Sequence, residues 1–511
     1  MRTSPSRPAR RVLVAVLSLA AALVAAACSS APKHTDTGST STTAASSGAT
    51  TTTGATSTSG ATSTTAAKAT TTPPKTAATT KPGTSTTAAA AGAQGTWTTY
   101  FHDSGRSGVA NDGPANPAAV HRLWTSPTLD GEMYAQPLLA GNLVIEATEN
   151  DTVYALSVTT GTVVWSTHLG SPVPSSTLPC GDVDPVVGIT GTPVVDVATN
   201  RVFAVGLVQP TRDVLFELNL ATGALVASVG VDPPGSSPAT DNQRGALALD
   251  GNSILVPYGG RDGDCGSYHG RVTSVPMAGA GLGSPSYFTL PTQNEGGFWA
   301  PPGPVIASDG SIYLTSGNSS SSGTFDYGNA VVHLSAGLQL LDYFAPSNWV
   351  SLNSSDLDLG STSPVLVGSQ VFQVGKSGVG YLLNASHLGG VGGQLASASV
   401  CPELAYGGVS HIGTSLFVPC PNYLAGVSVA GSKVTVAWMA SASAPGPAII
   451  TPGAVWSIAT GSGQLDAFSV STGKLLWSQS IGSVPSRFTS PAAGLNRVVV
   501  AAGSQIIAFG E

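Results

Sequence analysis

Apolar and polar positions alternate most clearly over residues 152–165, TVYALSVTTGTVVW. The segment Thr-Val-Tyr-Ala-Leu-Ser-Val has the period-two pattern of a half-buried strand, and Thr-Val-Val-Trp supplies a second one. Between them Thr160-Gly161 provides a turn with a residue that tolerates positive φ. The unit returns as LDAFSVSTGKLLW over 465–477 and, without its tryptophan, as VLFELNLATGALVA over 214–227. A hairpin that recurs with Gly four residues before Trp marks a repeat protein.

From about Trp97 onward the chain consists of short apolar runs broken by Gly, Pro, Asn and Asp, with no sustained helical period. Eight stretches align with the hairpin: 135–170, 190–232, 243 to about 291, 300 to about 348, 362 to about 400, 406–444, 453–482 and 487–510. The last holds only three strands before the chain ends. HRLWTSP over 121–127 offers the fourth, because its Trp124 stands 41 residues, one repeat, before Trp165. A four-stranded blade has two apolar faces, and stacking in a closed circle buries both. The pattern predicts an all-β fold: an eight-bladed β-propeller of four-stranded antiparallel blades, closed by an N-terminal strand. A pair of β-sandwiches suits tandem periods of about 40–50 residues poorly.

The chain ahead of the repeats has a different composition. Arg2, Arg7, Arg10 and Arg11 precede an apolar run over 12–27 that ends in small residues, followed by Cys28. Residues 1–27 therefore read as an export signal. Residues 28–95 are dominated by Thr, Ser and Ala, which cannot bury enough apolar surface to offset their ordering entropy. They read as a disordered tether ahead of the propeller, 96–511. The segment LVAAAC over 23–28 resembles a bacterial lipoprotein signal, with Ala25 where that family prefers Leu. This resemblance implies lipidation of Cys28 and a chain anchored on the extracytoplasmic face of a bacterial cell membrane. No second apolar run is long enough to span a bilayer.

Four cysteines remain: Cys180, Cys265, Cys401 and Cys420. An even number outside the cytoplasm favours disulfides. Three pairings are open, and Cys401–Cys420 with Cys180–Cys265 is the expectation. No two lie closer than 19 residues, which argues against zinc. Setting aside the four leader arginines, 16 of the 20 basic side chains face 27 acidic ones. That balance argues against nucleic acid as a partner.

The repeat resembles that of the pyrroloquinoline-quinone (PQQ) binding-like propellers of the quinoprotein dehydrogenase superfamily. There an Ala-x-Asp/Asn-x-x-Thr-Gly-x-x-x-Trp hairpin locks neighbouring blades through its tryptophan. The matching residues are Ala155, Thr160, Gly161 and Trp165, and again Ala467, Thr472, Gly473 and Trp477. Non-enzymatic assembly scaffolds carry the same repeat, so it speaks for fold more than for catalysis. Active members hold PQQ on the axis beside calcium, with an Asp base, a basic residue on the quinone, and a Trp floor opposite a vicinal disulfide.

Carried over residue by residue, this resemblance places Asn318 of SGN and Asp356 as metal ligands, with Lys376 of GKSGVGYLL as the cation reaching the quinone. Asp356 and Asp358 of SSDLDLGSTSPVL match the acidic segment beside the site, and Asp358 is the candidate base. The Gly-Asp-Asn element of the dehydrogenases has Tyr327-Gly328-Asn329 as its counterpart here, with Gly where Asp is wanted. There are no adjacent cysteines.

The residues also allow other duties. Lys376 is either a solvated turn lysine or faces the axis. Arg244 either binds an anion in the channel or pairs with Asp264 or Asp241. His269 is a candidate acid–base group or a structural histidine. Trp299 is a stacking floor or a core aromatic. Asp356 and Asp358 would share a face on a strand, or serve in turns.

No Ser-His-Asp arrangement, P-loop or dinucleotide-binding pattern in a βαβ context is present. Three functional readings follow. The chain is a PQQ-binding-like propeller with a quinone or other small ligand on its axis, a PQQ- and calcium-dependent alcohol or sugar dehydrogenase, or a non-catalytic envelope scaffold that binds a protein partner.

Overall fold

The computed structural model describes residues 96–279 and 281–511. The export signal, Cys28 and the tether lie outside the described residues. Eight antiparallel sheets of mostly four strands follow one another in chain order. The first blade shows the plan: Leu138–Ala140, Leu143–Thr148, Thr152–Ser157 and Val163–His168. Its first two strands are buried along their whole length, because neighbouring blades cover both faces. On the outer strand Trp165 alone is buried. First strands of consecutive blades touch, as Leu138–Ala140 does with both Val194–Asp196 and Ala492–Gly494, so they line the hub.

The eighth blade combines Ala492–Gly494, Arg497–Ala502 and Gln505–Gly510 with the N-terminal strand His121–Thr125 on its outer edge. The circle is thus closed as the Trp124 spacing predicts.

The blade lock has a local cause. The ladder pairs Ala155 with Trp165 and Leu156 with Val163, which leaves Val164 as an extra residue. Such a bulge re-aims the side chain beside it. Trp165 then reaches the next blade and donates its Nε1–H to the Leu220 carbonyl at 3.0 Å. Trp124, Trp438 and Trp477 donate likewise to the carbonyls of Val158, Val470 and Val120.

One feature is absent from the repeat pattern. Thr96–Trp97 pairs with the hub strand Leu138–Ala140 on its free edge, adding a fifth strand inside the ring. The following residues cross the hub. Val195 N–H donates to Thr98 O, Ile306 N–H to Ser104 O, and His411 N–H to Ser107 O, while Ala110 N–H donates to Ile450 O. Arg106, 3 % exposed, reaches the carbonyls of Leu247 and Pro304 on the third and fourth blades. Gln136 accepts from Trp97 Nε1 and Phe101 N and donates to Ser490 and Pro491 O. The N-terminal stretch therefore plugs the hub before it closes the rim.

Two disulfides join Cys180 to Cys265 and Cys401 to Cys420.

Candidate functional site: an axial mouth

A cavity of about 490 Å³ is lined by Asp182, Arg244, Arg261, Asp264, Tyr268, Trp299, Asp356, Asp358, Lys376, Tyr406, Arg487 and Phe488, together with Gly260, Asp262 and Gly263. Topology explains the gathering. Asp182, Arg244, Trp299, Asp356, Asp358, Tyr406, Arg487 and Phe488 all lie on connections that run from one blade's outer strand to the hub strand of the next. Arg261, Tyr268 and Lys376 lie between the second and third strands of the third and fifth blades. Both kinds of connection emerge on the same face of a propeller whose strands alternate in direction.

Acidic groups dominate one side. Asp358, 6 % exposed, accepts Asn318 N–H on Oδ1 at 2.6 Å and Lys376 Nζ on Oδ2 at 2.6 Å. Asp356 Oδ1 accepts Lys376 Nζ at 2.8 Å and Asn318 Nδ2 at 3.0 Å. Asp356 and Asp358 are not on a strand, contrary to the period-two expectation. Asp356 has φ 52° and Asp358 immediately precedes the turn Leu359–Ser361. The two carboxylates still converge, because the Lys376 ammonium draws both. Burial pushes the Asp358 carboxyl up, against the opposing pull of Lys376 and the Asn318 N–H. Burial also works against charge on Lys376, but the Asp358 and Asp356 carboxylates outweigh it and hold the ammonium well above its ordinary range.

Close backbone packing fixes this geometry. A Cβ on Gly317 would come 2.6 Å from Asp358 Oδ1 and 2.9 Å from Trp299 Nε1. Asn329, fully buried, braces the segment by donating to Asn318 and Asn353 and accepting the Leu359 N–H. It serves as a bracket behind the cavity.

Aromatic rings and cations complete the lining. Arg244 lies 4.6 Å from the centroid of the Phe488 ring, Arg487 4.7 Å from that of Tyr406, and Lys376 5.7 Å from Trp299. Phe488 meets Trp299 and Tyr406 edge to face at 6.1 and 6.2 Å. Arg244 pairs with Asp182 at 3.6 Å, and not with either partner considered from the sequence. Asp241 is taken by Arg271 at 3.2 Å, and Asp264 by the Tyr268 hydroxyl at 2.6 Å. Arg487 forms no ion pair among the described residues.

Of the residues singled out in the sequence, Arg244, Trp299, Asp356, Asp358 and Lys376 line one cavity, and Asn318 bonds to both carboxylates. His269 is not among the lining residues; its Nδ1 lies 2.9 Å from Thr292 Oγ1. Burial, assisted by Arg271, lowers its pKa. Tyr406, Arg487 and Phe488 escaped sequence reasoning, because each lies in an irregular connection without a motif. The available signal was Arg-Phe beside Pro485 at the entry to the last blade.

Calcium takes six to eight oxygen ligands. Among the described residues no three His, Cys, Asp or Glu side chains form a group able to hold a metal. The two carboxylates nearest the expected position already share an ammonium. These residues do not fit a calcium ion. The aromatic and guanidinium lining does fit a planar anion, since guanidinium matches carboxylate geometry and aromatic rings supply stacking faces.

The comparisons with known proteins agree with this fold. The family model described as outer membrane protein assembly factor BamB matches residues 116–325. No curated protein matches the chain. The quinohemoprotein alcohol dehydrogenase ADHIIG of Pseudomonas putida HK5 superposes with a TM-score of 0.64 at 12% identity, covering 81% of this chain and 80% of its own. A europium-containing methanol dehydrogenase gives 0.61 at 13%, covering 82% and 98%. BamB from Moraxella catarrhalis gives 0.53 at 10%, covering 77% and 100%. The chain therefore has the fold of the PQQ-binding-like and BamB-like β-propellers. No helix among the described residues is long and apolar enough to cross a membrane.

Proposed function

We propose that this chain is a lipid-anchored, extracytoplasmic binding propeller that takes a small planar anion, of the quinone-carboxylate class to which PQQ belongs, in its axial mouth. The observation that carries this reading is the set of three rings, Trp299, Tyr406 and Phe488, each faced by a cation around one cavity. An anionic edge would lie between Arg244 and Arg487, and its planar body against the rings. PQQ supplies hydride-accepting quinone chemistry when bound. Removal of a substrate proton would need a free base, and both oxygens of Asp358 are already engaged. Binding is thus the activity that the geometry supports best.

The test is calorimetric titration of the full chain with PQQ, in calcium and in chelator. Low-micromolar binding is expected, weakened about 10-fold or more by Arg244→Ala or Arg487→Ala. Absence of heat in both media would refute the reading.

A scaffold role draws on a different observation. Val163, Val164, Leu225, Leu475 and Leu476 are exposed on outer strands of three blades, where apolar side chains could meet an envelope protein. Retention of one defined partner on the immobilised chain, lost when these positions become Ser, would favour that role.

A further inference from the structure

We infer that Lys376 is a built-in cation that occupies the seat a metal would need, so that the mouth works without calcium. Asp356, Asp358 and Asn318 are the residues that the resemblance would assign to metal and base. The two carboxylates are joined through one ammonium, at 2.8 Å from Asp356 and 2.6 Å from Asp358, and Asn318 closes the group by bonds to both carboxylates.

The lysine is placed by its backbone as well as by charge. Its N–H donates to the Asp358 carbonyl at 2.8 Å, so main chain and side chain hold the same residue. The preceding Gly375 permits this approach, since a Cβ there would come 2.4 Å from that carbonyl oxygen. The side chain is 13 % exposed and its Nζ lies 5.7 Å from the centre of the Trp299 ring, which with the two ion pairs leaves it little freedom to swing away. A calcium ion would have to displace a charge already compensated and hydrogen-bonded, and would find only two carboxylates in exchange. A half-buried, doubly paired ammonium at this place carries out the electrostatic part of a metal's task, holding the acidic residues of the mouth together, but leaves no open coordination position for a ligand.

Titration with calcium alone tests this without any organic ligand. The full chain should show no calcium binding up to about 1 mM, the weak end for extracellular calcium modules. Lys376→Met keeps an unbranched stem of similar length but removes the charge. It should gain calcium affinity of about 10-fold or more over the wild type. Terbium luminescence sensitised by Trp299 should appear in the same variant and vanish when Asp358→Asn is added. Calcium binding by the wild type that Asp358→Asn abolishes would overturn the inference. So would a Lys376→Met protein that still binds none, because the ammonium would then not be what keeps the cation out. If PQQ binds only in the presence of calcium, this inference fails while the proposed function stands; if PQQ never binds, the calcium titrations still decide.

Discussion

The indole of Trp165 takes the space that a side chain at Gly223 would need: a Cβ there would come 2.5 Å from Trp165 Cε3. The same relation joins Trp124 to Gly161 at 2.3 Å and Trp438 to Gly473 at 2.4 Å. The Gly of each hairpin thus serves the tryptophan of the blade before it, and the recurring Gly and Trp are one interface written twice. Each glycine also has φ near +70°. Gly161→Ala should therefore cost about 2–5 kcal/mol, the sum of a left-handed backbone and an overpacked ring. Gly141→Ala is the control, at φ 60° with nothing within 4 Å, and should cost only the backbone part, about 1–2 kcal/mol. Denaturant unfolding of the two variants checks this; equal losses would mean that the ring contact contributes nothing.

The hub plug should matter as much as the rim. Arg106 donates to Thr99 Oγ1, Tyr100 O, Leu247 O and Pro304 O, and burial lowers its pKa to about 10. Arg106→Ala would remove the side-chain donor to the carbonyls of Tyr100 and Pro304 and leave Leu247 O with Thr99 Oγ1 alone. We expect a loss of about 3–5 kcal/mol. A variant with an unchanged melting temperature would show that the plug is a passenger.

The eight blades and their closure were legible because the repeat is a local signal, printed in Thr160, Gly161 and Trp165 and again in Thr472, Gly473 and Trp477. The plug was not. Residues 98–110 have no period, and their hydrogen bonds go to carbonyls and amides that are remote in sequence. The site was half legible. Lys376 and Trp299 stood out because each breaks the local composition. Arg487 and Phe488 acquire meaning only when the loop entering the last blade meets, at the axial mouth, the loop entering the third. The pairing of Asp356 and Asp358 through a strand face was the wrong route to a real convergence, since a turn and a shared ammonium bring it about.

Stability should fall as pH rises from about 4 towards 8. Glu149 and Asp151 are buried in the first blade, where Asp151 abuts Gly206 of the second, and Glu149 Oε1 and both Asp151 oxygens have no hydrogen-bond partner among the described residues. Burial raises Glu149 to about 7, and burial together with the Glu149 charge raises Asp151 to about 8. A carboxyl that stays protonated in the folded state and ionises in the unfolded one opposes folding above its unfolded pKa. The opposition grows by up to ~1.4 kcal/mol per pH unit for each group until the folded pKa is reached. The melting temperature should therefore be higher at pH 5 than at pH 8. Asp151→Asn should flatten the profile, and a profile that rises with pH would contradict the assignment.

Phe488 offers the sharpest test of the mouth, because it borders both the 490 Å³ cavity and a neighbouring one of about 450 Å³ that also shares Asp182, Tyr406 and Arg487. Its ring carries Arg244 and meets Trp299 and Tyr406. Phe488→Leu keeps apolar bulk but removes the π face, a difference of about 0.5–2 kcal/mol for a cation above it. If the rings position the guanidinium for an anion, Leu should weaken PQQ binding about 3–10-fold. Phe488→Ala should weaken it at least as much, while the half-buried position leaves the melting temperature nearly unchanged. Quenching of Trp299 fluorescence by the quinone reads both variants directly. Wild-type affinity in the Leu variant together with loss in Ala would assign Phe488 to packing alone and would detach Arg244 from the ligand.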